Sequence, residues 1–187
     1  SLAVQIKARY VRFYVDGYYN MGGGLNELEV YGKFISEPPP PPTNIALHKP
    51  ARASASFSGD YEYTPDHITD GLIKEAVLND LTMWLLPNRA TGWVEVDLQG
   101  VYKLNSIRFL NTHNRHYNDR ATTNWHMAVS DDGSIYTTIG SGQMTFSTTP
   151  EFQSLAVQIK ARYVRFYVDG YHNWGGGLNE LEVYGNL

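Results

Sequence analysis

No cysteine occurs in the 187 residues. Disulfides are therefore excluded, although an oxidising compartment is not. No apolar run reaches the roughly 18 residues that a membrane-spanning helix needs. No run of Lys or Arg occurs and the formal net charge is −4, which argues against nucleic acid or an anionic membrane as the main partner. No Asn-x-Ser/Thr sequon offers an N-glycosylation site. Gly-x-Ser-x-Gly, His-Glu-x-x-His and phosphate-loop motifs are absent, and no two carboxylates pair in a deep-pocket context, so the chain reads as non-enzymatic. No signal peptide heads the sequence. In a chain that opens inside a repeat this says nothing about location.

The repeat is the dominant positive feature. Ser1 to Gly32 and Ser154 to Gly185 match at 30 of 32 positions with an offset of 153. Only Tyr19 against His172 and Met21 against Trp174 differ. A fixed period of this kind is expected of tandem arrays. The second copy follows a domain body and the first does not. The expected organisation is 1–34 as the closing strands of a preceding domain of the same type, 35–43 as a linker, and 44–187 as one complete domain. Neighbouring repeats are then candidate partners, up to a homopolymer. The linker holds five consecutive prolines, Pro38 to Pro42, which favour a stiff polyproline II spacer.

Alternation predicts strands at Ala8 to Val15, at Glu27 to Tyr31, at Trp93 to Leu98, at Ile107 to Leu110 and at Trp125 to Val129. Ser130-Asp131-Asp132-Gly133 reads as a hairpin-type turn, and Thr112 to Thr123 as a long polar loop. Nothing reads as a long amphipathic helix. Short strands separated by Gly-rich turns indicate an all-β, antiparallel sandwich or jelly roll. The 14 Tyr and four Trp suit half-exposed strands, and equally carbohydrate or protein contacts.

Seven segments fall in one order: NIALHKPA, ITDG, TMW, WVEVDLQGVYKLNSIRF, WHMAVSDDGSIY, ARYVRFYVDG and LNELEVYG. Together they resemble the discoidin domain, the coagulation factor 5/8 type C family, in the character of its family 32 carbohydrate-binding modules. The resemblance implies an eight-stranded β-sandwich jelly roll whose termini lie at one end and whose ligand loops lie at the other. It implies a non-catalytic carbohydrate-binding or adhesion module at an extracellular or cell-surface location. The cysteine pair of many animal members is missing here.

The resemblance further implies one structural Ca²⁺, with Asp70 of ITDG, Thr82 of LTMW and Glu180 of LNELEV as ligands and backbone carbonyls completing the shell. Leu72 to Leu81 is longer than the pattern, so Asn79 or Asp80 is an alternative to Thr82. Ca²⁺ takes six to eight hard oxygens and tolerates such mixed sets. The alternative is that Asp70 caps a turn and Glu180 is a solvated strand charge. For the sugar, the resemblance carries over His113, Arg120, Asn173 and Trp174, and the same loop adds Arg115. Arg offers a planar fork to two hydroxyls, Asn a donor and an acceptor, and Trp a stacking face. The alternatives are an Arg120 surface ion pair, loop histidines without a ligand, and Trp174 folded back as a lid. His113 and His116 also raise Zn²⁺, for which no third ligand is evident. The rival to carbohydrate binding is a structural repeat unit of a fibre, stalk or filament, with 1–32 completing or docking on a neighbouring unit.

Overall fold

The computed structural model describes residues 6, 8, 10–18, 20–32, 42–59, 61–76 and 79–187. The chain divides into two units, Ser1–Pro40 and Pro41–Leu187. Most of the 35–43 linker, residues 35–41, lies outside the described residues, as do Tyr19 and part of the strand expected over Ala8 to Val15.

Among the described residues the larger unit has eight strands: β1 (Ala51–Ala53), β2 (Trp84–Leu85), β3 (Gly92–Leu110), β4 (Arg120–Ser130), β5 (Thr137–Gln143), β6 (Gln153–Asn173), β7 (Gly177–Leu178) and β8 (Glu180–Asn186). The order β1-β3-β6-β4-β5 is antiparallel throughout, β8 pairs with β3, and β2 pairs with β7. The alternation read from Trp93 to Leu98 and from Ile107 to Leu110 falls within the single strand β3. Its register with β6 breaks between Asp97 and Tyr102, where Gln99 takes a φ of 63°. Both strands fold over at this corner. Phe109 beyond it therefore meets Trp125 and Phe166 before it, with ring centroids 4.7 and 5.5 Å apart. Val94, Val96, Leu104, Ile107, Val164, Val168, Leu181 and Val183 fill the same core. The result is the two-layered β-sandwich that the sequence predicts.

The other face of the long sheet is polar and aromatic. Glu95 is buried there, accepting from Arg52 Nε at 2.6 Å, from Arg165 Nε at 2.8 Å and from the Tyr136 hydroxyl. The Arg165 guanidinium lies 4.0 Å from the Trp93 ring centre and 3.8 Å from that of Tyr136. Burial, reinforced by Glu95, pushes the Tyr136 hydroxyl up to about 12. Much of the aromatic content thus serves the sheet surface.

Gly175 to Gly177 turn the chain from β6 into β7 and β8. A Cβ at Gly176 would stand 2.4 Å from Val168 Cγ1, and one at Gly177 2.2 Å from the Trp84 carbonyl. Backbones approach here too closely for any side chain.

The first copy of the repeat behaves differently. None of its described residues lies in a strand, against the alternating strands expected over Ala8 to Val15 and Glu27 to Tyr31. Phe13 is 54% exposed and its counterpart Phe166 0%; for Val30 and Val183 the values are 65% and 0%. The reason is physical. In the second copy β6 lies hydrogen-bonded between β3 and β4, and β8 lies beside β3. Alternation makes a face to bury, but the strand needs partners for its backbone and its apolar side.

Candidate functional site

Four connections meet at one end of the unit: 86–91, 111–119, 144–152 and 174–176. The expected polar loop Thr112 to Thr123 is shorter than the sequence indicates, because Arg120 already opens β4. Much of it is also buried. Asn111 holds both ends, its Nδ2 donating to the Thr122 carbonyl at 2.9 Å and its Oδ1 accepting from the amides of Thr112 and Thr122, each at 3.0 Å. A short 3₁₀ turn, Arg115–Tyr117, is flanked by Asn114 and Asn118 in the left-handed region, where asparagine is tolerated.

Arg115 is fully buried. Its guanidinium carbon lies 5.2, 5.5 and 5.4 Å from the ring centres of Tyr61, Tyr63 and Tyr117, and Nη2 donates to the Tyr63 hydroxyl. Such a box stabilises a desolvated cation by cation–π attraction. Beneath it sits Glu75, also buried. Its Oε1 accepts from Asn179 Nδ2 at 2.7 Å, and its Oε2 accepts from the His113 amide at 3.0 Å. His113 Nδ1 lies 2.7 Å from the Arg115 carbonyl and 3.1 Å from Asn118 Oδ1. Both are acceptors, which assigns the proton to Nδ1. The other ring nitrogen, Nε2, lies 3.5 Å from the Glu75 carboxylate, and with the proton on Nδ1 it donates nothing to it.

Arg120 does not reach solvent. Nη1 donates to the Leu86 carbonyl at 3.0 Å, Nη2 donates to Asn88 Oδ1, and the guanidinium lies 4.3 Å from the Phe57 ring centre. Burial lowers its pKa, and Asp119 opposes that shift. Its fork therefore holds the 86–88 connection in place instead of facing a sugar. Trp174 is different, with 44% of its surface exposed. Its amide donates to the Asp119 carbonyl at 3.0 Å, its carbonyl accepts from the Arg89 amide at 2.8 Å, and the Arg89 guanidinium stands 5.1 Å from its ring centre. Asn173 beside it is exposed, with a φ of 53°. His172 stacks on Phe146, centroids 4.2 Å apart.

The structure therefore divides the five residues singled out from the sequence. His113 and Arg115 line an open cleft of about 690 Å³. Arg120, Asn173 and Trp174 gather at the neighbouring loop tip, with Arg120 as its support. Glu75, Arg89, Tyr61 and Tyr63 belong to the same end, and no local pattern marks them in the sequence.

The Asp70–Glu180 pair lies elsewhere, where the turn Pro65–Thr69 meets β8. Glu180 is 1% exposed; Oε2 accepts from the Gly71 amide at 3.2 Å, and Oε1 has no hydrogen-bond partner. Burial, and secondarily the Asp70 charge, push its carboxyl up to about 8. Burial also raises Asp70. Thr82 Oγ1 donates to the Lys74 carbonyl at 3.0 Å and accepts from Asn179 Nδ2 at 3.1 Å. Asn79 is exposed. Among the described residues no three His, Cys, Asp or Glu side chains cluster in a way that would hold a metal. A cation here would depend on this carboxylate pair with hydroxyl and carbonyl oxygens.

Comparisons extend this picture. The family model described as F5/8 type C domain matches residues 50–183. A Streptococcus pneumoniae fucose binding module superposes with a TM-score of 0.61 at 21% identity, over 78% of this chain and 96% of its own. A chitosan-binding module from a chitosanase/glucanase of Paenibacillus sp. IK-5 gives 0.60 at 21% identity, over 77% and 99%. The lectin domain of lectinolysin complexed with Lewis B antigen gives 0.61 at 17% identity, over 78% and 98%. These likenesses show a shared fold. Among curated proteins, nothing matches the chain.

Proposed function

The chain belongs to the F5/8 type C domain family, and from that premise we propose that residues 44–187 form a non-catalytic module that binds carbohydrate on a cell surface or matrix. The observation that carries this reading is Trp174. A half-exposed indole on a loop tip, flanked by the Arg89 guanidinium, offers an apolar face for C–H stacking and a forked donor for hydroxyls. Similar solved structures named for binding fucose, chitosan or Lewis B support the same class of ligand.

Trp174→Ala is expected to weaken glycan binding roughly 10- to 100-fold, the equivalent of about 1.5–3 kcal/mol of aromatic burial. A glycan array followed by titration calorimetry checks it. Equal binding by wild type and variant would remove Trp174 from the site, and no glycan signal for the wild type would remove the function.

The reading includes a structural Ca²⁺ at Asp70 and Glu180, with Thr82 and nearby carbonyls as further oxygens. Its support is the partnerless Glu180 Oε1 beside a second carboxylate, a hard-oxygen pair that a divalent cation would neutralise. The ion would lock the Asp70-Gly71 turn to β8.

A second reading, a structural repeat of a fibre or filament, is favoured by the near-identity of 1–32 with 154–185 and by the apolar side chains that the first copy exposes. It predicts assemblies larger than one chain. Light scattering that stays monomeric up to about 100 μM, far above typical specific affinities, would count against it.

A further inference from the structure

The cleft beside the 3₁₀ turn lies outside the Trp174 tip. Its volume, about 690 Å³, is within the range of roughly 300–1,000 Å³ for small-molecule sites. Arg108, His116, Asn118, Thr149, Phe152 and Asn179 line it together with Glu75, Arg115 and Glu151. The two carboxylates and two guanidinium groups balance, so the cleft selects neither an anion nor a cation. What remains are hydroxyl and amide groups that donate and accept, with apolar surface between them. One acceptor is unused: Asn179 is 1% exposed and its Oδ1 has no hydrogen-bond partner. A buried acceptor of this kind costs free energy until a donor reaches it. The groups that a sugar hydroxyl meets first are the exposed side chains of His116, Asn118, Thr149 and Glu151.

The Arg115–Tyr117 turn and the two residues after it form a ridge that joins cleft and tip: Asn118 lines the cleft, and the next residue, Asp119, accepts from the Trp174 amide at 3.0 Å. His116 lines the cleft, while Tyr117, half exposed and 4.0 Å from the His116 ring, stands over the Arg115 box. We propose that the cleft is a second sugar subsite and that the ligand is an oligosaccharide crossing this ridge, with one end against Trp174 and Tyr117 and its next units in the cleft. This inference rests on the carbohydrate reading and narrows its ligand from a single terminal sugar to a neutral glycan of several units.

The test compares monosaccharides with their oligomers of three to five units, for wild type, Thr149→Trp, His116→Ala and Trp174→Ala. Thr149 and His116 are exposed, so melting temperatures should be unchanged. Thr149→Trp fills the cleft and is expected to lower oligomer affinity at least ~10-fold, to the monosaccharide level, with monosaccharide affinity unchanged; about 1.4 kcal/mol corresponds to that factor. His116→Ala should act in the same direction, and Trp174→Ala should weaken both ligands. The inference is overturned if wild type binds oligomers no tighter than monosaccharides, or if Thr149→Trp and His116→Ala leave the oligomer advantage intact. A wild type that binds no sugar overturns the carbohydrate reading itself.

Discussion

Phe166→Ala is expected to lower the unfolding free energy of the 41–187 unit by about 3–5 kcal/mol, whereas Phe13→Ala changes it by less than about 0.5 kcal/mol. The two phenylalanines occupy identical surroundings in sequence. Residues 1–18 and 154–171 do not differ at any position. In space they share nothing. Phe166 lies at 0% exposure on the central strand, its ring 5.5 Å from Phe109 and 5.9 Å from Trp125. Removing it opens a cavity between two layers that cannot collapse fully. Phe13 is half exposed and outside any strand. Urea denaturation of both variants, compared at unchanged slope, measures the difference. Equal losses would mean that the first copy is also packed in a sandwich, by a route absent from this fold.

In chelator, the stability of the unit should fall as pH rises from about 5 to 8, by up to about 4–5 kcal/mol at roughly 1.36 kcal/mol per pKa unit. The direction follows from Glu180. Its unfolded value is near 4.5 and its folded value about 8. Below 4.5 the group is protonated in both states and its contribution is fully present. Between 4.5 and 8 the unfolded chain releases the proton first, which favours unfolding. Above 8 both states are ionised and the contribution is gone. Asp70 shifts in the same sense, through its own burial. A Ca²⁺ ion bound to the ionised pair reverses the trend, because it favours the deprotonated fold. Melting curves from pH 5 to 8.5, with calcium and with chelator, check both statements. Glu180→Gln should flatten the pH profile and abolish any calcium effect. Equal melting temperatures with and without calcium at pH 7.5 would dispose of the metal; a flat profile in chelator would dispose of the titration.

The candidate site was legible only in part. Trp174 was singled out by the family resemblance, at one of the two positions where the copies differ, and the structure leaves it half exposed. Arg120 looked equally available, yet its fork is spent on Leu86 and Asn88, 34 and 32 residues earlier. Glu75 offered no signal at all. A lone carboxylate in a polar segment becomes a buried anchor only once His113 and Asn179, 38 and 104 residues away, supply its donors. Such roles are set by long-range contacts that no local pattern encodes.

The sequence by itself determined the strand-forming alternation, the family motifs and the repeat, because side-chain period and turn chemistry are local properties. Tertiary structure alone decided which of two nearly identical segments becomes a strand. It also turned both Arg115 and Arg120 inward and decided where a cleft opens. Burial and backbone pairing depend on neighbours distant in the chain: Val183 is at 0% exposure and Val30 at 65%, in the same LNELEVYG.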